Sequence, residues 1–362
     1  MASVVTSVPT LNADDIQAMS QALRTTAFLT PDVTAMHAVV GDVKGNARIA
    51  ILGNFSGLAG KVKSDCDTTP SAGSAAISEK SWAPAYISDR FEQCYQDLMG
   101  SCIQWMLRNG LSKEDLSGIE FTTWLENEVL NIVIKETWMR HAWFGDTSLN
   151  DSTYNGIGSS QLPYFNAING LWKQIFALNG GASWVSNLNS KNTQTTTAAQ
   201  AFNSTDVSNQ VVTNAFRDLY YASDVRLRTK AKSDLIWICT QSVADQFEKE
   251  RLAVASIDSP YRRVEEGFGP MTAMGVDIMP VHFFDRVISG YYAVTSGGNT
   301  NLFKPHRMVL TTRQNLMIGT ESINDLQLLE ADYDKRDKVW YADFGFMLDA
   351  KVALNELVAA AY

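Results

Sequence analysis

The sequence predicts an α+β fold, on three observations. Short apolar runs rich in β-branched and aromatic residues recur along the chain, at 234–240, 308–312 and 339–346 most clearly. Amphipathic stretches of helical length lie between them, above all 119–143. The two kinds interleave without the regular strand–helix rhythm of a doubly wound sheet, and no internal repeat is present. With 362 residues, 45% of them hydrophobic and 19% charged, the chain can bury a sizeable core in two or three compact units.

Taken in order, the first 45 residues combine a Val/Ser/Thr/Pro lead with a helix over 13–24, capped by Asn12 and stopped by Pro31. Their apolar content is too thin to close a core, so they read as an arm laid on other structure. From 47 to 90 the pattern becomes extended: a β-leaning limb at 48–52, glycines at 53, 57 and 60, a polar tip at 64–74, and a return limb at 76–87. Such a hairpin, carrying Ile77, Trp82, Tyr86 and Ile87, is marginal alone and needs a partner surface. A helix is expected over 93–108, with Cys94 and Cys102 on one buried stripe, ended by Asn109 and Gly110. In 119–143, Phe121, Leu125, Ile132, Met139 and Trp143, with Trp124, Val129, Val133 and Ala142 beside them, recur at three- and four-residue steps. At 1.5 Å per residue that helix would run about 37 Å, long enough to carry a sheet. Beyond it come short helical character at 161–176, a polar stretch at 186–210 that reads as a long loop or a short surface insertion, a helix over 211–222, a buried strand over 234–240 and a helix over 242–255. Further strands are expected at 277–282, 308–312, 315–319 and 339–346.

Charge and motifs exclude more than they identify. Lys and Arg number 30 against 39 Asp and Glu, a net −9, so the average surface repels phosphate and a general nucleic-acid binder is not expected. The four cysteines, Cys66, Cys94, Cys102 and Cys239, form no CxxC pair and read as reduced thiols of a cytosolic chain. The first ten residues lack the basic and apolar blocks of a secretory leader. Glu120, Glu126, Glu128, Lys135, Glu136 and Arg140 keep 119–143 out of a bilayer, at about 2.5–3.5 kcal/mol per charge at mid-depth.

The glycine run 53–62 fails as a phosphate loop because Phe55 stands where glycine is needed and Val62 where Ser or Thr is needed. The 155–161 stretch lacks the third glycine of a dinucleotide fingerprint. His37, His141, His282 and His306 show no metal-ligand spacing, and no GxSxG elbow occurs. The acidic 330–337 stretch, mixed with Lys335 and Arg336, reads as a solvated turn. Arg226, Arg228, Lys230 and Lys232 alternate as a basic ridge suited to acidic neighbours. No catalytic, cofactor-binding or metal-binding residue is therefore expected.

In their order these landmarks resemble the major capsid proteins of tailed bacteriophages, the HK97-type shell fold. The resemblance rests on the arm, the two-limbed loop, the long helix, the Leu-Pro-Tyr-Phe-Asn-Ala-Ile-Asn-Gly-Leu segment at 162–171, and the strand–helix pair at 234–251. The Gly-Val-Asp-Ile-Met-Pro-Val stretch at 275–281, the closing 311–319 run and the 341–347 run complete it, so it covers nearly the whole chain. It implies an N-terminal arm over 1–46, an extended E-loop over 47–92, and a P-domain over 93–180 with its spine helix near 119–143. An A-domain over 181–320 and a C-terminal segment over 321–362 that returns to the P- and A-domain sheets follow.

The implied function is structural and not enzymatic, without a cofactor: pentamers and hexamers of an icosahedral shell around phage double-stranded DNA, assembled in the bacterial host cytoplasm and residing in the virion capsid. Implied partners are further copies of the chain, a portal protein, a scaffolding protein, decoration or head-auxiliary proteins, and DNA held without sequence-specific contacts; no membrane is implied. Candidate intersubunit contacts are Lys61, Lys63, Trp82, Tyr86, Arg90, Arg226 and Arg228. The arm is too short and too little charged to be a built-in scaffolding segment, so scaffolding is expected to be separate or absent. Lys61, Lys63 and Lys80 read as ordinary exposed loop lysines rather than sites of an isopeptide cross-link. The alternatives are an encapsulin-like compartment shell and a cytosolic hydrolase built from dispersed carboxylates.

Overall fold

The computed structural model describes residues 35–45, 47–55, 75–94, 97, 100–102, 104, 124, 130–150, 157–178, 184–185, 188–254, 271–296, 298–321, 328–334, 336–337 and 339–362. The expected arm helix at 13–24, the loop tip with Lys61, Lys63 and Cys66, and nearly all of 105–129 lie outside these residues.

Strand β1 (Ala38–Val40) is followed by a hairpin, β2 (Arg48–Phe55) and β3 (Ala75–Ser81), paired antiparallel from Arg48↔Ser81 to Phe55↔Ala75 with an irregularity between Leu52 and Phe55. The ladder breaks after Ser81, and β4 (Ala85–Cys94) starts immediately beyond Pro84, which has no N–H to continue a ladder. β4 leaves the hairpin and pairs along its whole length with β14 (Val339–Val352), Cys94↔Val339 to Ala85↔Leu348. The return limb expected at 76–87 is thus two strands in two sheets. The helix expected from residue 93 starts later, and Cys94 closes a strand instead of sharing a helix stripe with Cys102.

Helix α1 (Asn131–Phe144) stands in the second half of the expected 119–143 helix, whose first half lies almost wholly outside the described residues. It is buried nearly all round from Trp138 to Phe144, as a helix between two layers must be. Its end meets the approach to α2 (Leu171–Ala177) backbone to backbone: Gly170 N donates to Gly145 O at 2.8 Å, and a Cβ on Gly170 would lie 2.7 Å from Gly145 N. Glycine is required there by space, not by φ.

After β5 (Trp184–Val185), the polar stretch expected as a long loop or short insertion folds into α3 (Asn189–Asn192), α4 (Thr197–Gln200) and α5 (Ser204–Ser208). Its Ser, Thr and Asn residues are caps: Thr196 accepts from Ala199 N, and Asn203 with Asp206 forms a reciprocal capping box. Two buried amides tie this insertion to the 302–306 segment. Asn192 gives Nδ2 to His306 O at 2.7 Å and takes His306 N at 2.9 Å, while Gln200 bonds the N–H and carbonyl of Leu302.

Then follow α6 (Val211–Ala222), α7 (Val225–Arg228), β6 (Leu235–Cys239), α8 (Gln241–Val254), β7 (Thr272–Ala273), β8 (Val276–Pro280), α9 (His282–Tyr291), and the small hairpin of β9 (Ala293–Ser296) and β10 (Asn299–Leu302). Two helices take their N-terminal caps from neighbours. The buried Glu250 carboxylate accepts Val212 N and Thr213 N of α6, and Asp285 of α9 accepts Gln241 N and Ser242 N of α8. In place of an alternating basic ridge at 226–232, the chain forms one turn of helix and then a 3₁₀ turn.

The remaining strands are β11 (Met308–Thr312), β12 (Leu316–Gly319), β13 (Leu328–Asp334), β14 and β15 (Val358–Ala361). β13 overturns the turn expected at 330–337, since Glu330 to Asp334 pair with Asp343 to Val339 of β14. Two sheets result. One has the order β1-β12-β14-β13 with β4 also on β14; the other runs β5-β15-β11-β6-β8-β7. The chain after residue 321 supplies β13 and β14 to the first and β15 to the second.

The second sheet is covered on both faces, which explains an apolar run without alternation. On β6, Leu235, Trp237 and Cys239 join a core with α6 and α8, whereas Ile236 and Ile238 face a larger core shared with α1, α2, α9, β12 and β14. Among the described residues no helix is long and apolar enough to cross a membrane.

Candidate assembly interface

The hairpin of β2 and β3 forms a two-stranded sheet of its own. Across it Arg48 pairs with Glu79 at 2.6 Å, both exposed. Its root is held more firmly. Trp82 donates its backbone N–H to Ala47 O at 2.8 Å, and its ring lies where a Cβ on Gly319 of β12 would stand, 2.7 Å from ring carbon Cζ3. Ala83 N donates to Asp349 Oδ2 at 2.8 Å. Lys80 Nζ donates to the Val352 carbonyl at 2.6 Å and to Asn355 Oδ1 at 2.8 Å. Burial holds the Lys80 amine below the usual lysine range, against the opposing pull of Glu356.

These placements revise two readings. Trp82, expected at an intersubunit contact, is 4% exposed and plugs the interior of its own chain, because a large apolar ring gains most beside the gap that Gly319 leaves. Lys80, expected as an ordinary exposed lysine, is half-buried and bonded within its own chain.

Tyr86 and Arg90 sit on β4, not on the hairpin. They share one face of the strand with Ser88, opposite the inward Ile87. Arg90 lies opposite Asp343 in the ladder and grips it with two bonds, Nε to Oδ1 at 2.6 Å and Nη2 to Oδ2 at 2.8 Å, with its guanidinium 4.9 Å from the Tyr341 ring centre. This fork holds the Asp343 carboxyl below its usual range. Tyr86 is half exposed and faces Met347 across the ladder. Arg226 and Arg228 are far from this sheet in sequence and lie on α7: Arg226 pairs with Asp224 at 3.0 Å and approaches Glu356 at 3.8 Å, beside exposed Val225 and Tyr221. The candidates thus occupy two surfaces, and Lys61 and Lys63 lie outside the described residues.

A cleft of about 610 Å³ between α4, α8 and α9 is the place to look for hydrolytic chemistry. It holds Ser242 and His306, with Ser242 Oγ 2.9 Å from His306 Nδ1. His306 Nε2 faces the Gln200 carbonyl at 2.9 Å and must donate there, so Nδ1 accepts from the serine. The pair nevertheless lacks what acyl transfer needs. The adjacent N–H groups of Gln241 and Ser242 are held by the Asp285 carboxylate, whose charge opposes a developing oxyanion. Burial lowers the His306 imidazole to about 4, a weak base at neutral pH. The same contacts tie α4, α8 and the 302–306 segment together. Among the described residues no group of three or more His, Cys, Asp or Glu is placed to hold a metal ion.

No protein-family model matches the chain, and no curated protein matches its sequence. Solved structures do match over nearly its full length. A chain of the satellite phage P4 procapsid with its size-determination protein is 11% identical, covering 94% of this chain and 96% of that one, at a TM-score of 0.49. The capsid of the native GTA particle is 11% identical over 100% of this chain and 94% of that one, at 0.47. The holo-SrpI encapsulin complex from Synechococcus elongatus PCC 7942 is 10% identical over 99% and 91%, at 0.41. At this distance the functional reading stands on the chain's own geometry. Sequence reading missed Asp349, Asn355 and Gly319, none of which carries a local signal; only the return of β14 to the hairpin root brings them there.

Proposed function

We propose that this chain is a major capsid protein of the HK97-type shell fold, whose copies build pentamers and hexamers of an icosahedral shell around phage double-stranded DNA. The observation that carries the reading is the hairpin: two strands forming a separate sheet, tied to the body at their root. A ribbon of this kind is marginal alone, and a second copy can supply the surface it lacks. Each Å² of apolar surface so buried contributes roughly 25 cal/mol, and rotational symmetry repeats the contact around every ring. The order of the described elements supports the reading too: hairpin, helix α1, strand–helix pair and returning C-terminal strands.

The exposed faces bearing Tyr86 and Arg90, and Arg226 with Tyr221, are the further contacts we assign between copies. A net charge of −9 suits a lining that holds DNA without gripping it. Portal, scaffolding and decoration proteins would meet such a shell during assembly in the host cytoplasm.

Electron microscopy of the purified chain tests this directly. Closed particles of megadalton mass are expected; a stable monomer or dimer that turns over a substrate would overturn the reading. Deleting 65–74 is expected to leave folded subunits that fail to close shells, and normal shells from that deletion would remove the hairpin from the contact.

A further inference from the structure

We propose that Lys80 is a latch that fixes the direction in which the β2–β3 hairpin leaves the subunit. The hairpin joins the body through two chain segments, 41–47 and 82–84. On the second, Trp82 and Ala83 are pinned by Gly319 and Asp349, which sets where the ribbon starts. On the first, Val43 N donates to Thr320 O at 3.1 Å. On β3, Lys80 bonds to the body at two points: the carbonyl of Val352, the last residue of β14, and the side chain of Asn355 in the turn beyond. One acceptor would permit rotation about a single bond. Two acceptors from successive elements, reached by one ammonium on β3, hold the ribbon at one pitch.

The charges facing the amine are consistent with a releasable contact. Glu356 favours the charged form, while Lys351 and burial oppose it. Glu356 is in turn drawn toward Arg226 at 3.8 Å. The latch therefore lies between the hairpin and the α7 corner, the two surfaces assigned above to contacts between copies, and a neighbour that engages Arg226 or Glu356 would bear on the hairpin's pitch. This consequence rests on the shell reading; the latch itself does not.

Hydrogen exchange on the full-length chain separates the two. Lys80→Met keeps the stem and removes the donors, and Asn355→Ala removes one acceptor. Amides of 48–55 and 75–81 are expected to exchange about tenfold faster in Lys80→Met and less than that in Asn355→Ala, with the β4–β14 ladder protected as in the parent chain. The intact ladder shows that the variants remain folded. Unchanged hairpin exchange in both variants would overturn the latch. Under the electron microscope, Lys80→Met particles are expected to spread in diameter; a loosened hairpin with parental particle diameters would overturn its part in setting pitch. A parent chain that forms no particles would remove the shell reading while the exchange measurement still decides the latch.

Discussion

The hairpin and the body around Arg307 solve opposite problems. Arg307 is 1% exposed, with its guanidinium 5.1 Å from the Phe176 ring centre and 5.4 Å from those of Phe144 and Trp172. It donates to the carbonyls of Lys304 and Phe303 at 2.6 and 2.9 Å. Lys304 follows, 3.9 Å from the Tyr362 ring centre, its amine brought down to about 8 by burial. Here aromatic faces and local carbonyls answer a buried cation inside one subunit. The hairpin has two strands, an exposed Arg48–Glu79 pair and a root. A segment whose interactions are complete fixes the shape of the chain; a separate two-stranded sheet tied at its root is what we assign to contact with another copy.

The largest expected effect breaks the complete side. Arg307→Ala removes a fully buried side chain and leaves two carbonyls without their donor, and is expected to cost about 3–5 kcal/mol in denaturant unfolding. Lysine should not rescue it, because a single ammonium cannot present the planar fork. A loss below about 1 kcal/mol would show that the cage closes without its cation.

Acid probes the same side. His306 titrates near about 4 in the folded chain, against 6.5 for an ordinary imidazole, because it is buried. The unfolded chain therefore binds this proton more readily, so the contribution is full above pH 6.5 and is lost as pH falls toward 4, on the order of 3 kcal/mol in all. His141, lowered to about 3 by burial and Arg140, acts in the same sense and remains in both proteins compared. His306→Asn should show a shallower fall in unfolding midpoint between pH 7 and 4.5 than the parent chain; equal slopes would remove His306 from the acid response.

The smallest effect on the subunit is expected where contacts between copies are assigned. The Arg90 side chain is 58% exposed, so its fork to Asp343 works in water and is screened by salt. Arg90→Ala should leave the melting temperature where it was and lower the yield of particles. A clear drop in melting temperature with unchanged particle yield would make this pair part of the fold instead.

Much of the body is legible because its signals are local. Helix α6 at Val211–Ala222 and strand β11 at Met308–Thr312 stand where periodicity puts them. The misses have physical causes. The polar 186–210 stretch reads as loop by composition, yet its Ser, Thr and Asn residues start short helices such as that capped by Asn203. Pro84 marks the passage between two sheets, a signal that the run of aromatics from Trp82 to Tyr86 hides. Trp82 reads as a surface contact because nothing near it in sequence announces Gly319.

By itself the sequence determined the α+β class, the position of elements with strong local patterns such as the helix at 211–222 and the strands at 235–239 and 308–312, the acidic balance and the lack of a nucleotide or metal motif, since these follow from local spacing and residue chemistry. The tertiary structure decided which strands share a sheet, that β14 receives β4, β13 and β12, and that Lys80 meets Val352 and Asn355. Pairing and burial join residues hundreds of positions apart, and their free energy depends on surfaces that exist only once the chain has folded back on itself.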